Sequence, residues 1–381
     1  MRNVPTFTLH GRWALRLHAL SSLRRAYVGT LARRILRGRL RPGWRIYFET
    51  GVTYWREAMG YALGLGHVRM ARRYLDVVQF AIPLMERIRI QPAEDQALPG
   101  RWFLPEKPQG TILYFHGGGF AFDVRSLDQL IVLVTVWTNA AVFVPTYRLA
   151  PEHPFPAQQE DALAAYRWLL RGGSDPLRLV LVGDSAGGNL ALCLLRRLRR
   201  EGLPMPAAAV CLSPWTDLAN GGESMTANEP FDLIDRRMAA QWTAWYAEGR
   251  DPKDPEVSPL YADFAGFPPV YIQAGGAEIM IDMIRAYAKK ARQEGADVTL
   301  DVWEHMIHNF QAFGDRMEES EEALGRIRDF VAAHMGSSSS GVPTGGVRSD
   351  ETPSVVATAA KAGVDGPMDS RSRGNNDGKM R

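Results

Sequence analysis

Short apolar runs recur through the middle of the chain, and most are followed by a stretch whose apolar residues return at helical spacing. Thr111–Phe115, Ala141–Thr146, Leu179–Val182, Ala207–Leu212, Val270–Ala274 and Val298–Val302 carry few polar residues, as strands buried on both faces do. Val124–Trp137, Ala157–Arg171 and Ile281–Glu294 read as helices. After Leu179–Val182, residues Leu190, Leu194, Leu195 and Leu198 line one helical face, Arg196, Arg197, Arg199 and Arg200 the other, and Gly202 is a natural stop. This alternation predicts an α/β architecture, a mostly parallel sheet with helices on both faces. Ligands of such sheets gather at the C-terminal ends of the strands.

The two ends depart from the pattern. No acidic residue precedes Glu49, while arginines crowd LRRAYVGTLARRILRGRLR. Residues 1–40 therefore read as a basic helical extension exposed to solvent. A membrane-surface helix making weak lipid contact, or a targeting peptide, is the alternative. Arg and His interrupt every apolar core that a secretory signal would need there, and no run is apolar enough to span a membrane. From Gly336 the sequence turns to GSSSSGVPTGG and stays poor in large apolar residues, so 336–381 is expected to be a disordered tail. Composition narrows the picture further. With 381 residues, 46% hydrophobic and 23% charged, the chain suits one large domain, and a net charge of +3 gives no reason to expect a nucleic-acid partner. Its two cysteines, Cys193 and Cys211, both lie in apolar surroundings and read as buried free thiols in a reducing, cytoplasmic setting. Peripheral membrane association is the alternative location. Neither composition nor motif sets an oligomeric state.

Chemistry concentrates where the strand Leu179–Val182 meets its helix. Gly183, Ser185 and Gly187 form G-x-S-x-G, the pattern of a sharp strand-to-helix turn that holds a nucleophilic serine at its tip. Such turns also bind phosphates, so the serine needs partners. After Thr111–Phe115 comes HGGGF, where Gly117, Gly118 and Gly119 leave backbone amides uncovered. One or more of these amides, with that of Ala186, would form an oxyanion hole. Among the eight histidines, His10 and His18 fall in the basic extension and are expected to be exposed. His67 is expected to be surface or packing. His116 is expected to hold the glycine loop, His153 lies in a proline-rich loop, and His334 closes the last helix. His305 and His308 remain, in WEHMIHNF after a strand. His308 is the expected base, because its distance from the strand leaves room for a loop reaching back to the serine, and His305 is expected to pack that loop. For the acid, Glu278 comes first, ahead of Asp282 and Asp217, being nearest to a strand end. No HExxH or Cys/His cluster is present, so neither metal nor cofactor is expected. Trp215 reads equally as pocket lining or core, and Arg148, Glu152 and Asp161 as internal ion pairs around the loop before Ala157.

HGGG at 116–119, YRLAPEHPFPA at 147–157, GDSAGGNLAL at 183–192, SPWTDL at 213–218 and MIHNF at 306–310 together resemble the bacterial hormone-sensitive-lipase-like esterases of the α/β-hydrolase fold. The likeness runs from about Arg41 to Met335 and is strongest toward acetyl-hydrolases and monoterpene lactone hydrolases. It implies a serine hydrolase of short or medium carboxylic esters. Ser185 would be nucleophile, His308 base, and the HGGG glycines with Ala186 the oxyanion hole. It also implies a catalytic domain over 41–335 with a helical cap from 41–90 and 219–262. The family's D-x-L-x-D acid motif aligns with Glu278–Asp282, where Glu replaces the first Asp and Met280 the Leu. Lactone, amide or N-formyl hydrolysis on the same residues is the nearest rival. A non-catalytic small-ligand receptor on this scaffold is the rival from another class.

Overall fold

The structure is a computed structural model that describes residues 7–80, 83–93, 95, 98–125 and 128–336. Residues 337–381, nearly all of the expected tail, lie outside the described residues. Its centre is an eight-stranded sheet of β3 (Ile88–Pro92), β4 (Gly100–Pro105), β5 (Thr111–Phe115), β6 (Ala141–Pro145), β7 (Leu179–Asp184), β8 (Ala208–Leu212), β9 (Val270–Gly275) and β10 (Val298–Trp303). They stand in the order β10-β9-β8-β7-β5-β6-β4-β3. All neighbouring pairs from β10 through β6 are parallel; β4 runs antiparallel to both β6 and β3.

Period-two alternation explains the two layers. Leu113, Phe115, Leu181 and Cys211 point to one face, packing with α5 (Ala157–Arg171), α6 (Ala186–Arg200) and α9 (Ile281–Gln293). Ile112, Tyr114, Val182 and Val210 point to the other, against α4 (Asp128–Thr138) and α10 (Glu318–His334). Each fully buried aliphatic side chain here contributes about 1.5–3 kcal/mol of burial. Every strand expected from the apolar runs is present, with ends shifted by a residue or two. Two shifts matter. The helix expected from Val124 starts at Asp128, a buried carboxylate held by Arg101 of β4 at 2.7 and 2.8 Å. The edge strand β3 and its neighbour β4 were not anticipated. They are half-buried, carry Arg89 and Arg101, and end in proline, so they lack the continuous apolar signature of the central strands.

The N-terminal region is more integrated than a solvated extension. β1 (Phe7–Leu9) pairs with β2 (Val78–Phe80), and α1 (Trp13–Arg37) lies on α2 (Ile46–Gly64), which leads to α3 (Val68–Leu75). Small residues of α1, Ala19, Ser22, Ala26 and Thr30, form its buried face. His18, expected to be exposed, is half-buried, stacked on Tyr61 at 3.7 Å and bonded to the Tyr74 hydroxyl at 3.0 Å. Glu49, fully buried in α2, pairs with Arg33 and with Arg34 (2.9 Å) of α1 and accepts from the Leu40 amide (3.0 Å). Truncating it would strand two partly buried guanidinium groups. Glu49→Ala is expected to cost about 3 kcal/mol, read as a lower urea midpoint with faster amide exchange concentrated in α1.

Candidate active site

Five strand ends meet at the C-terminal edge of the sheet, and each contributes one part. β7 ends in Asp184, Ser185 follows at φ 55° and ψ −119°, and α6 starts at Ala186. A non-glycine residue in that region stores on the order of 1–3 kcal/mol of strain. The turn is possible because the helix behind it comes very close: a Cβ on Gly187 would run into the Phe115 carbonyl oxygen. The Ser185 amide is held by the Leu212 carbonyl at 2.9 Å, and its own carbonyl accepts from the amides of Asn189 (3.1 Å) and Trp215 (3.0 Å). Asn189, which the motif analysis passed over, donates from Nδ2 to the carbonyls of Trp215 and Val257, both at 2.8 Å. It thereby ties α6 to the loop after β8. Trp215 itself is fully buried and belongs to the core.

The glycine loop follows β5. Its three amides are not equivalent, and this corrects the expectation for Gly117. That amide donates to Asp184 Oδ1 at 2.9 Å, so it is committed to the scaffold. Gly118, at φ 105°, turns the chain where a side chain would strike the Phe122 carbonyl. The amides of Gly118, Gly119 and Ala186 donate to no protein acceptor among the described residues. Ala186 is the first residue of α6, where an amide has no intrahelical partner and the helix dipole favours negative charge. His116 has the supporting role foreseen for it. Its ring stacks on Tyr147 at 4.3 Å and its Nδ1 meets the Gly117 carbonyl at 2.7 Å, while the Tyr147 hydroxyl donates to the His116 carbonyl at 2.7 Å. Within the same proline-rich loop Arg148 pairs with Asp161 and Glu160, but Glu152 is drawn instead to Arg72 of α3 at 2.8 Å.

Beyond β9 and β10 lie Glu278 and His308. Nδ1 of His308 and Oε2 of Glu278 are 3.2 Å apart, and both side chains are buried. Burial would push the imidazole pKa down. The bond to Glu278 and the charges of Glu278, Asp232 and Asp184 outweigh it and leave the value raised above 6.5. The other two acid candidates are engaged elsewhere. Asp282 accepts from the Ser224 amide at 2.8 Å, and Asp217 from the amides of Ala219 and Gly221 at 2.9 and 3.3 Å. The backbone carbonyl of His305 accepts from the Trp44 indole at 2.6 Å, and the residue is half-buried. Among the described residues, no group of three or more His, Cys, Asp or Glu side chains is placed to hold a metal ion. Both cysteines are buried and free, and burial pushes the Cys193 thiol up to about 12.

Two carboxylates that the motifs left without a role organise these loops. Asp184 accepts from the Tyr114 hydroxyl (2.8 Å), the Gly117 amide (2.9 Å) and Nδ2 of Asn309 (2.8 Å). Asn309 sits at φ 53°, a conformation asparagine tolerates, and its amide donates to Ser213 Oγ at 3.1 Å. Asp232 comes from the segment between β8 and β9 and is fully buried. Its Oδ2 accepts from the Ile279 amide (2.8 Å), and its Oδ1 from the amides of Leu233 (2.8 Å) and His308 (3.3 Å). Burial raises its carboxyl to about 6, against the pull of His308 and the two nearest amides. No spacing in the sequence pointed to it. The one available signal was an acidic residue in an otherwise apolar FDLI.

Ser185, His308, Gly118 and Gly119 all line one cavity of about 220 Å³. Its other walls are largely apolar: Trp55 and Met59 of α2, Phe80, Phe122, Leu233, Phe313 and Trp242 of α8 (Arg236–Ala247), the helix that follows the single turn α7 (Ser224–Ala227). The volume is thus shared between strand-end loops, the N-terminal helices and the 219–262 segment.

A family profile for the α/β hydrolase fold matches residues 112–312. An acetyl-hydrolase of Streptomyces hygroscopicus is 42% identical over 230 residues, covering 58% of this chain and 76% of that one. An esterase of Acinetobacter venetianus is 32% identical over 267 residues, covering 69% of this chain and 88% of that one. Among solved structures, an esterase from the bacterial hormone-sensitive lipase family superposes with a TM-score of 0.66 at 32% identity, over 86% of this chain and all (100%) of that one. An esterase/lipase from an uncultured bacterium gives 0.68 at 30% identity, over 82% and 98%. The chain is therefore a member of the hormone-sensitive-lipase-like carboxylesterases of the α/β-hydrolase fold.

Proposed function

We propose that this carboxylesterase cleaves small esters of short or medium acyl length through an acyl-enzyme on Ser185, with His308 as general base, Glu278 orienting it, and Gly118, Gly119 and Ala186 as oxyanion donors. The observation that carries this reading is the buried Glu278–His308 contact on a cavity that also presents Ser185 and amides committed to nothing else. In the reaction, Ser185 Oγ attacks the ester carbonyl as His308 Nε2 takes its proton. The tetrahedral oxyanion is held by the loop and helix amides, each worth on the order of 10²–10³ in rate. His308 then hands the proton to the leaving alcohol and later activates water against the acyl-enzyme. Glu278 keeps Nδ1–H as the donor side of the ring and stabilises the imidazolium. The N-terminal helices and the 219–262 segment act as the cap, closing an apolar, aromatic-walled cavity that favours compact acyl groups over long ones.

Ser185→Ala is expected to lower kcat for p-nitrophenyl butyrate by on the order of 10⁶. An organophosphate should label the native protein stoichiometrically at that serine, whereas a receptor built on this scaffold would keep turnover near zero and take no label. The sign of the pH dependence follows from His308. The base must be neutral, and its pKa is raised, so kcat/KM should climb with pH through a midpoint above 6.5. Glu278→Gln removes the main raising influences. Its acidic limb should move to lower pH while kcat falls by on the order of 10⁴. Asp232→Asn keeps one acceptor and loses the charge. It is expected to shift the same limb to lower pH and reduce kcat about 10-fold with little change in KM, since Asp232 positions the loop and touches no substrate.

A further inference from the structure

We propose that the outer face of α1 is a docking surface for an anionic lipid bilayer. The proposal rests on the ester-hydrolase reading only for its purpose, namely to meet lipophilic esters at the surface that holds them. Trp13, Leu17, Leu20, Tyr27, Leu31 and Ile35 recur at intervals of three, four and seven residues and so share one helical face. All six are exposed, Trp13 at 74% and Ile35 at 76%. This is not the face that α1 uses for packing, since Ala19, Ser22, Ala26 and Thr30 bury the opposite side against α2. The helix thus has a second apolar stripe that the fold leaves uncovered.

Charge decides what can cover it. The helix carries Arg16, Arg24, Arg25, Arg33, Arg34 and Arg37 and not one carboxylate; Glu49 of α2 holds Arg33 and Arg34, and Glu57 lies 3.9 Å from Arg25, which leaves the charges of Arg16, Arg24 and Arg37 to face solvent. Arg24 and Arg37 are exposed and form no ion pair among the described residues. A second copy of this chain would set arginine against arginine across the stripe. The 337–381 segment carries both signs in near balance and offers no acidic run. A nucleic acid would answer the arginines and leave the aliphatic and aromatic side chains in water. An anionic bilayer satisfies both: the stripe sinks to the level of the headgroups while the arginines meet phosphate. Among the described residues no helix is long and apolar enough to cross a membrane, so the contact would lie in the plane of the surface. The neighbour of α1 is α2, whose Gly51, Trp55 and Met59 line the cavity. A bilayer on α1 would therefore sit one helix away from the wall of the substrate cavity.

Flotation of the full chain with phosphatidylcholine vesicles, with or without phosphatidylglycerol, tests this at low and high salt. The protein should float with the anionic vesicles at low salt, stay below with pure phosphatidylcholine, and be released by high salt. Trp13→Ser/Leu17→Ser/Ile35→Ser and Arg24→Glu/Arg37→Glu should each lower partitioning by about 10-fold or more, with circular dichroism and p-nitrophenyl butyrate turnover unchanged. Failure to float with anionic vesicles at low salt overturns the proposal, as does undiminished binding in both variants. So does a dimer in light scattering that the triple serine variant dissociates, because a second copy would then cover the stripe. A wild-type protein that floats but fails to hydrolyse the soluble ester would instead bring down the hydrolase reading alone.

Discussion

The carboxylate of Asp184 is buried beside Ser185, and the geometry of the site depends on what it holds. Its three donors come from β5, from the glycine loop and from the loop that carries His308. Two chain regions far apart in sequence, the β5 end at 114–117 and the loop at 309, are thus registered to Asp184 beside Ser185. A buried carboxylate left unpaired would cost several kcal/mol, so the loops that satisfy it are fixed in place. Burial still lifts its pKa above the usual range, against the pull of the Tyr114 hydroxyl, the Gly117 amide and the histidines nearby. The same bond explains a division of labour within HGGG. Gly117 donates its amide to the anchor, and the following two glycines line the cavity with amides that donate to no protein acceptor among the described residues.

A second buried carboxylate does for Glu278 and His308 what Asp184 does for the glycine loop. Asp232 belongs to the segment between β8 and β9, yet it holds the amides of Ile279 and His308, one next to Glu278 and the other on His308 itself. A satellite core repeats the connection from the N-terminal side, where Trp44 and Phe48 pack with Ala277, Met306 and Ile307. Residues of α2 and of the loops that carry Glu278 and His308 therefore share one packed cluster. Substitutions in the N-terminal helices or in 219–262 reach the surroundings of the Glu278–His308 contact as well as the cavity wall.

The central sheet was legible because its strands are buried on both faces. Continuous apolar runs such as TILYF and LVLV leave no other environment that suits them. The elbow was legible for a steric reason, as only glycine fits where Gly187 meets the Phe115 carbonyl. The edge strand β3 and its neighbour β4 were not, because half-buried strands with charges and terminal prolines look like loop. The basic N-terminus read as solvated, since its contacts to α2 are made by small residues that carry no hydrophobic signal.

By itself the sequence determined which residue types could do acyl-transfer chemistry and in what order along the chain, because backbone strain, amide exposure and helix periodicity are local properties. It left open which acid serves His308, which glycine amides stay uncommitted, and that Asp232 belongs to the site. Those are matters of distance between segments separated by tens of residues. Glu278, Asp282 and Asp217 are alike in kind, and only the packed loops place one of them 3.2 Å from the imidazole. Burial then gives that single contact its effect on the charge of the ring, which no one-dimensional pattern carries.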